Sequence, residues 1–326
     1  VEEVKTPGYY QNQNKMLSRV ADSLYWMSRY MERTDGILRM LKVNYISSQD
    51  DFAEFSWEPV LKIFSFLDKD QINKIKRNTN EVIRFMVCEY ENQNSIRNIV
   101  TKSRDNAKSV QDHITKEVWQ CLNEYYHLVK ELNLENSVLL EEPVSLLDNL
   151  IKQGMIYYGT LEVTMARGEG LYFMHIGKYL ERAIQSIDIL NVKFNDLSFD
   201  LESGNDSPYW NYLLYSISGY EQNLKTYRAG SQAQNTLHQI MFNENFPRSI
   251  LYSLNRLMIY FGRLKSTTNK DYHKILFMLG RLHSKVQFSD LETLSETGLP
   301  AFLSALRGDL IKIGEALDMY YFSYSQ

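Results

Sequence analysis

The chain has 326 residues, 44% of them apolar and 13% aromatic, with 15 glycines, 6 prolines, 2 cysteines and a formal net charge of −4. That composition supports a large core and excludes collagen-like or disordered chains, a disulfide framework and a four-cysteine zinc site. The charge gives no global pull toward nucleic acid, no apolar run is long enough to cross a membrane, and no signal peptide opens the chain, so a cytoplasmic protein is expected.

Residues 1–15 are polar, with Pro7-Gly8 and Gln11-Asn12-Gln13-Asn14. They read as a leader or an added segment ahead of Met16, and a polar tail pinned to the body is the alternative. From Leu17 the apolar residues Val20, Leu24, Met27, Met31, Leu38 and Leu41 follow one helical stripe. Five of the six prolines precede amphipathic runs and read as helix starts, as in Trp57-Glu58-Pro59 and Phe246-Pro247-Arg248. Ser95 and Thr115 read as N-caps. The resulting helices are 17–46, 57–68, 70–90, 95–111, 115–133, 144–165, 168–195, 207–226, 230–243, 247–264, 270–288 and 300–323. No strand alternation or hairpin turn competes with them. The fold class is all-α, with about 10–13 helices.

The chain also repeats itself. Tyr30-Met31-Glu32-Arg33 recurs as Tyr179-Leu180-Glu181-Arg182, 149 positions later, and Pro59 and Pro208 share that offset. Asn94-Ser95-Ile96 resembles Arg248-Ser249-Ile250 at an offset of 154. A tandem duplication follows, with copies at about 16–140 and 141–323 merged into one pseudo-twofold helical body.

Each Glu-Arg pair lies beside the apolar stripe of its helix. Ser28 and Gly36 flank Glu32 by one turn, and Gly177 precedes Glu181, so another backbone can approach both carboxylates. Arg33 and Arg182 point about 100° away from their own glutamates, so each is expected to find a carboxylate on another helix. Across a twofold axis, Glu32 would meet Arg182 and Glu181 would meet Arg33. One reading is an ion-pair network that fixes helix register. The other is a polar pocket between the copies, of Arg29, Glu32, Arg33, Arg167, Glu169, His175, Lys178, Glu181 and Arg182, serving an enzyme or binding a peptide, carboxylate or other small ligand. Arg248 and Ser249, at a helix start after Pro247, form a separate candidate anion site, against simple capping.

The run Met16-Leu17-Ser18-Arg19-Val20-Ala21-Asp22-Ser23-Leu24-Tyr25-Trp26 through Glu32-Arg33 resembles the opening of the bacterial alpha-E family. That family is a domain of unknown function named for its Glu-Arg motif. Ser103-Arg104-Asp105-Asn106-Ala107, Trp119 with Leu122-Asn123, Arg167-Gly168-Glu169-Gly170, Gly177 to Ala183 and Pro247 to Ile250 extend the resemblance to nearly the whole chain. Lys178 stands where family members usually carry arginine, and Thr34 where they carry an alanine-like residue. The resemblance implies an accessory or scaffold protein working with an ATP-grasp peptide (amide) ligase, with transglutaminase-like proteins or peptidases as neighbours.

Other chemistry is sparse. Arg167-Gly168-Glu169-Gly170 is too short for a phosphate loop and reads as a sharp turn whose glycines take positive φ. One Glu-x-x-His, Glu124 to His127, falls short of the paired motif of helical di-iron proteins. No resident metal or cofactor is expected, and a helical carboxylate metal protein is the third alternative. Cys88 and Cys121 read as small hydrophobes. Tyr320, Tyr321, Phe322 and Tyr324 would either cover the core or face a partner.

Overall fold

A computed structural model describes residues 16–49, 56–132, 142–199, 207–227, 232–264, 270–292, 294 and 298–322. Residues 1–15, expected as a leader, the boundary between the two copies near residue 140, and Tyr324 lie outside these residues. Among those described there are fourteen α-helices and no strand. They are α1 (Ser18–Ser47), α2 (Glu58–Phe64), α3 (Lys69–Ile75), α4 (Thr79–Val87), α5 (Ile96–Ser109), α6 (Lys116–Glu131) and α7 (Pro143–Thr164). The chain continues through α8 (Glu169–Asn195), α9 (Ser207–Ser216), α10 (Tyr220–Thr226), α11 (Gln232–Met241), α12 (Ile250–Arg263), α13 (Lys270–Gln287) and α14 (Leu299–Leu317).

The helix count exceeds the expected range because two expected helices are broken. The segment 70–90 divides at Asn78, whose extended backbone and side chain cap α4 by accepting from the Glu81 N–H at 3.1 Å. The segment 207–226 divides at Ser218, where φ is +55°, before Gly219 starts a new turn. Both breaks fall at local helix-stop signals, the all-polar run 76–81 and the Ser218-Gly219 dipeptide. Ser95 and Thr115 cap α5 and α6 through the N–H groups of Asn98 and Val118. Pro59, Pro143, Pro208 and Pro300 occupy the first turns of their helices. Pro247 does not: it lies in a turn, and Ser249 caps a helix that begins at Ile250. The Arg167–Gly170 stretch is a turn between α7 and α8, but Gly168 is extended (φ −134°), and among the described residues the glycine at positive φ is Gly298.

The two long helices α1 and α8 form the spine. They pack parallel and in register: Tyr25 lies against Gly177, Arg33 against Glu181, and Gly36 against Gln185. Around them the partners correspond. α1 packs on α5 and α7, while α8 packs on α12 and α14. α6 touches α5 and α7, and α13 touches α12 and α14. Leu24, Met27, Ile37, Leu38, Leu180, Ile187 and Leu190 are buried along the spine. After α14 the backbone widens into a short π-helical turn over Asp318–Phe322, which covers the core. There Phe322 packs 5.0 Å from Tyr25 and 5.9 Å from Phe173 between ring centres.

Register along the spine depends on close backbone approach. A Cβ on Gly177 would stand 2.3 Å from the carbonyl oxygen of Tyr25, which is backbone and has no rotamer to yield. Gly177→Ala should therefore cost about 2–3 kcal/mol in denaturant unfolding, as overpacking does. Gly154→Ala in α7 meets open space and should be neutral or stabilising by up to about 1 kcal/mol. Equal effects from the two changes would show that the spine tolerates separation.

Candidate functional site

The stripe that buries one face of α1 also buries Glu32, which has no solvent exposure, and the matching face of α8 buries Glu181 at 3%. Two desolvated carboxylates are costly unless fully paired. Each is met from across the spine. Arg182 grips Glu32 as a fork, Nε to Oε1 at 2.7 Å and Nη2 to Oε2 at 2.8 Å. The Tyr158 hydroxyl donates to Oε2 at 2.8 Å, and Arg248 stands 3.5 Å from Oε1. Arg33 grips Glu181 likewise, at 2.7 and 3.1 Å, and Arg29 donates its Nε to Oε2 at 2.9 Å. Gln185 adds an amide at 3.4 Å. The cross-helix pairing expected from the repeat is thus present, and the groups touch directly.

The spare arginine donors tie this core to the next layer. Arg33 Nη1 donates to Asn94 Oδ1 and Arg182 Nη1 to the Pro247 carbonyl, each at 3.1 Å. Both acceptors lie in the turns just before α5 and α12. Arg29 also donates to the Tyr25 hydroxyl at 3.1 Å and lies 4.5 Å over the Trp26 ring.

The remaining candidates separate. Arg248 pairs with Asp35 and leans toward Glu32, so the anion beside it belongs to α1. Ser249 Oγ accepts the Tyr252 N–H at 2.9 Å, which is the capping role. Glu169 accepts the Met16 backbone N–H at 3.0 Å in the first turn of α8. Arg167 is over half exposed, beside Glu162 at 3.9 Å. His175 faces α7 and α12 rather than the glutamates, with Nε2 3.3 Å from Glu162 and its ring stacked 4.2 Å from Tyr260. Lys178 lies 4.2 Å over the Tyr158 ring. Arg167, Glu169 and His175 do not touch the two core glutamates, while Lys178 stands at the edge of the core, over the tyrosine that bonds Glu32.

Asp35 and Tyr158 belong to the core and were not among the expected residues. Asp35 carries a readable signal, one turn from Glu32 and four residues before Arg39, which it holds at 2.9 Å. Tyr158 has none. Among the described residues, no three His, Cys, Asp or Glu groups gather as a metal site. Glu124 and His127 stand on the exposed face of α6. Cys88 is buried, and Cys121 rests 3.3 Å from Thr160 Oγ1.

The environment sets the charges. Burial pushes the Glu32 carboxyl up, but Arg182 and Arg248 outweigh it and hold it at about 2. Burial acts likewise on Glu181, and Arg33 and Arg29 bring it to about 2. Burial first, then Lys178 and Arg256, lower His175 from 6.5 to about 3, so it is neutral. Burial and Arg182 lower Lys178 to about 8.

A family model described as Alpha-E, a predicted alpha-helical domain with a conserved ER motif, matches residues 16–322. The chain belongs to the Alpha-E family, and its two Glu-Arg dipeptides are the pairs just described. No curated protein and no solved structure matches the chain. Among the described residues, no helix is long and apolar enough to cross a membrane.

The shifts set the acid limb of stability. Between 6.5 and about 3 the unfolded chain protonates His175's imidazole while the fold does not, so stability falls as pH drops below 6.5. Glu32 and Glu181 act from 4.5 down to about 2, where the same sign holds and the loss steepens. Denaturant midpoints against pH should show both limbs, and His175→Gln should flatten the upper one alone. A midpoint unchanged from pH 6.5 to 3 would contradict this account.

Proposed function

We propose that this protein is an accessory or scaffold partner of an ATP-grasp peptide (amide) ligase system, and that its Glu-Arg motifs are a packing lock, with no direct part in a reaction. The observation that carries the reading is the closure of the motif. Glu32 and Glu181 are each satisfied by arginines of the same chain, with further side-chain donors, leaving the fork geometry spent inside the fold. A substrate carboxylate would have to displace a buried glutamate to use those arginines, which leaves an uncompensated charge.

The same arrangement supports the proposal that the body is a merged duplication. Bonded pairs across the spine are separated by 148, 150 and 152 residues. The correspondence of packing partners favours a dividing line after α7, giving seven of the described helices to each half. A lock made twice about one axis gives a rigid spine with α2, α6, α9 and α13 arrayed around it. Such a body suits holding other proteins in fixed relation.

Co-expression with the ATP-grasp ligase from the same gene neighbourhood tests the partnership. Co-purification and a shared sedimentation boundary at micromolar concentration are expected. Glu32→Gln should weaken the complex only in proportion to lost folding, read by parallel thermal melts. Absence of association, or a folded Glu32→Gln protein that abolishes a ligase-linked reaction, would overturn the reading in favour of direct chemistry.

A further inference from the structure

The arginines of the core are all paired with carboxylates, but a second set of cations has tyrosines as its neighbours instead, with Arg256 hydrogen-bonded to Tyr179. On α12 the residues Tyr252, Arg256, Tyr260 and Arg263 form one ridge at helical spacing. It runs antiparallel to the α8 ridge of Tyr172, His175 and Tyr179, since Ser186 bonds Arg248 O and Tyr172 lies beside Tyr260. The rings stack: Tyr179 and Tyr260 are 6.0 Å apart and 10° from parallel. Arg256 lies 5.5, 5.6 and 5.9 Å from the centres of Tyr252, Tyr260 and Tyr179, and Arg263 lies 5.6 and 5.7 Å from Tyr260 and Tyr172. Lys178 closes the row beside Tyr179 at 5.5 Å.

Arg256, Arg263 and Lys178 have no carboxylate within ion-pair distance among the described residues, and Arg256 Nε is buried without an acceptor. Arg263 is exposed, while Arg256 and Lys178 are half-buried. Glu162 is the acid facing this cluster, 3.3 Å from the neutral His175 ring and 3.9 Å from Arg167 at the surface. In a chain of net charge −4, this face is locally cationic. Tyrosine faces hold the guanidinium planes in place, which lowers the ordering cost of engaging an oxyanion.

We infer that the α8–α12 face is a docking site for an acidic peptide segment, whose carboxylates engage Arg256 and Arg263. Spacing favours a peptide over one phosphate. The two arginines are seven residues, or about 10 Å, apart along α12, which matches carboxylates three residues apart on an extended chain at about 3.3 Å per residue. The inference deepens the scaffold reading and rests on it for its biological setting, while the site itself can be tested alone. Tyr179 and Tyr260 are 5% and 9% exposed, so they support the arginines and offer little ring face for stacking nucleobases.

The test is fluorescence anisotropy at low salt with a short fluorescein-labelled peptide carrying glutamate at every third position. Saturable binding is expected, weakened at least about tenfold by Arg256→Gln with Arg263→Gln. Arg281→Gln, at an exposed arginine whose partner Asp309 lies 3.7 Å away, should leave it unchanged. Arg263→Gln alone, at an exposed position, should also weaken binding and serves if the double variant loses its fold. Absence of saturable binding, equal loss from Arg281→Gln, or tighter binding of single-stranded DNA of equal charge would overturn the inference. If peptide binding fails while ligase co-purification persists, this inference alone falls. If co-purification fails while the peptide binds, the scaffold reading alone falls.

Discussion

Two buried carboxylates, each gripped by arginine from a neighbouring helix, are the constraint on which the rest of this fold depends. Glu32 and Glu181 sit where an apolar residue would cost nothing to bury. Their charge is tolerated only while Arg182 and Arg33 lie opposite with fork geometry. A slip of the two helices by one residue would rotate each arginine by about 100° and strand both anions. The pairs therefore contribute less to net stability than to the choice of one register. Gly177 enforces the same register sterically, since only a residue without a side chain fits against the Tyr25 carbonyl. Through Asn94 and the Pro247 carbonyl, the arginines also position the turns that launch α5 and α12.

That internal closure separates the two kinds of arginine in the molecule. Arg29, Arg33, Arg182 and Arg248 are consumed by the fold. Arg256 and Arg263 lie instead beside tyrosine rings, which orient a guanidinium plane without neutralising it. The lock makes the spine rigid, and the rigid spine presents the second set outward. The same helix α8 supplies both arrangements, from faces that differ by its pitch: Glu181 and Arg182 look toward α1, and Tyr172, His175 and Tyr179 toward α12.

The all-α class was legible because the apolar stripe of α1 and the caps Ser95 and Thr115 report short-range physics that tertiary packing does not alter here. The cross-helix pairing was legible too, from the angle between Glu32 and Arg33 on their helix and the recurrence of both at Glu181 and Arg182. The breaks at Asn78 and Ser218 carry only local signals, the polar run 76–81 with Asn78 three residues before Glu81 and the Ser218-Gly219 dipeptide, which a reading by long apolar spacing passes over. Pro247 misled for a related reason: a proline ahead of an amphipathic run marks either a first turn or the turn preceding it. Arg167, Glu169, His175 and Lys178 share a helix or its approach with Glu181, but sequence neighbourhood does not determine which face meets α1. Tyr158 illustrates the reverse, a tyrosine far away in sequence that completes the hydrogen bonding of Glu32.

A double-mutant cycle on Arg33 and Glu181 tests the central claim most directly. Arg33→Gln, Glu181→Gln and the double variant would be compared by denaturant unfolding at neutral pH. If the pair locks α1 to α8, the changes couple by about 2 kcal/mol or more, the double variant losing much less than the sum of the singles. Additivity within about 0.5 kcal/mol would contradict the account, because the two side chains would then stabilise the fold independently of each other.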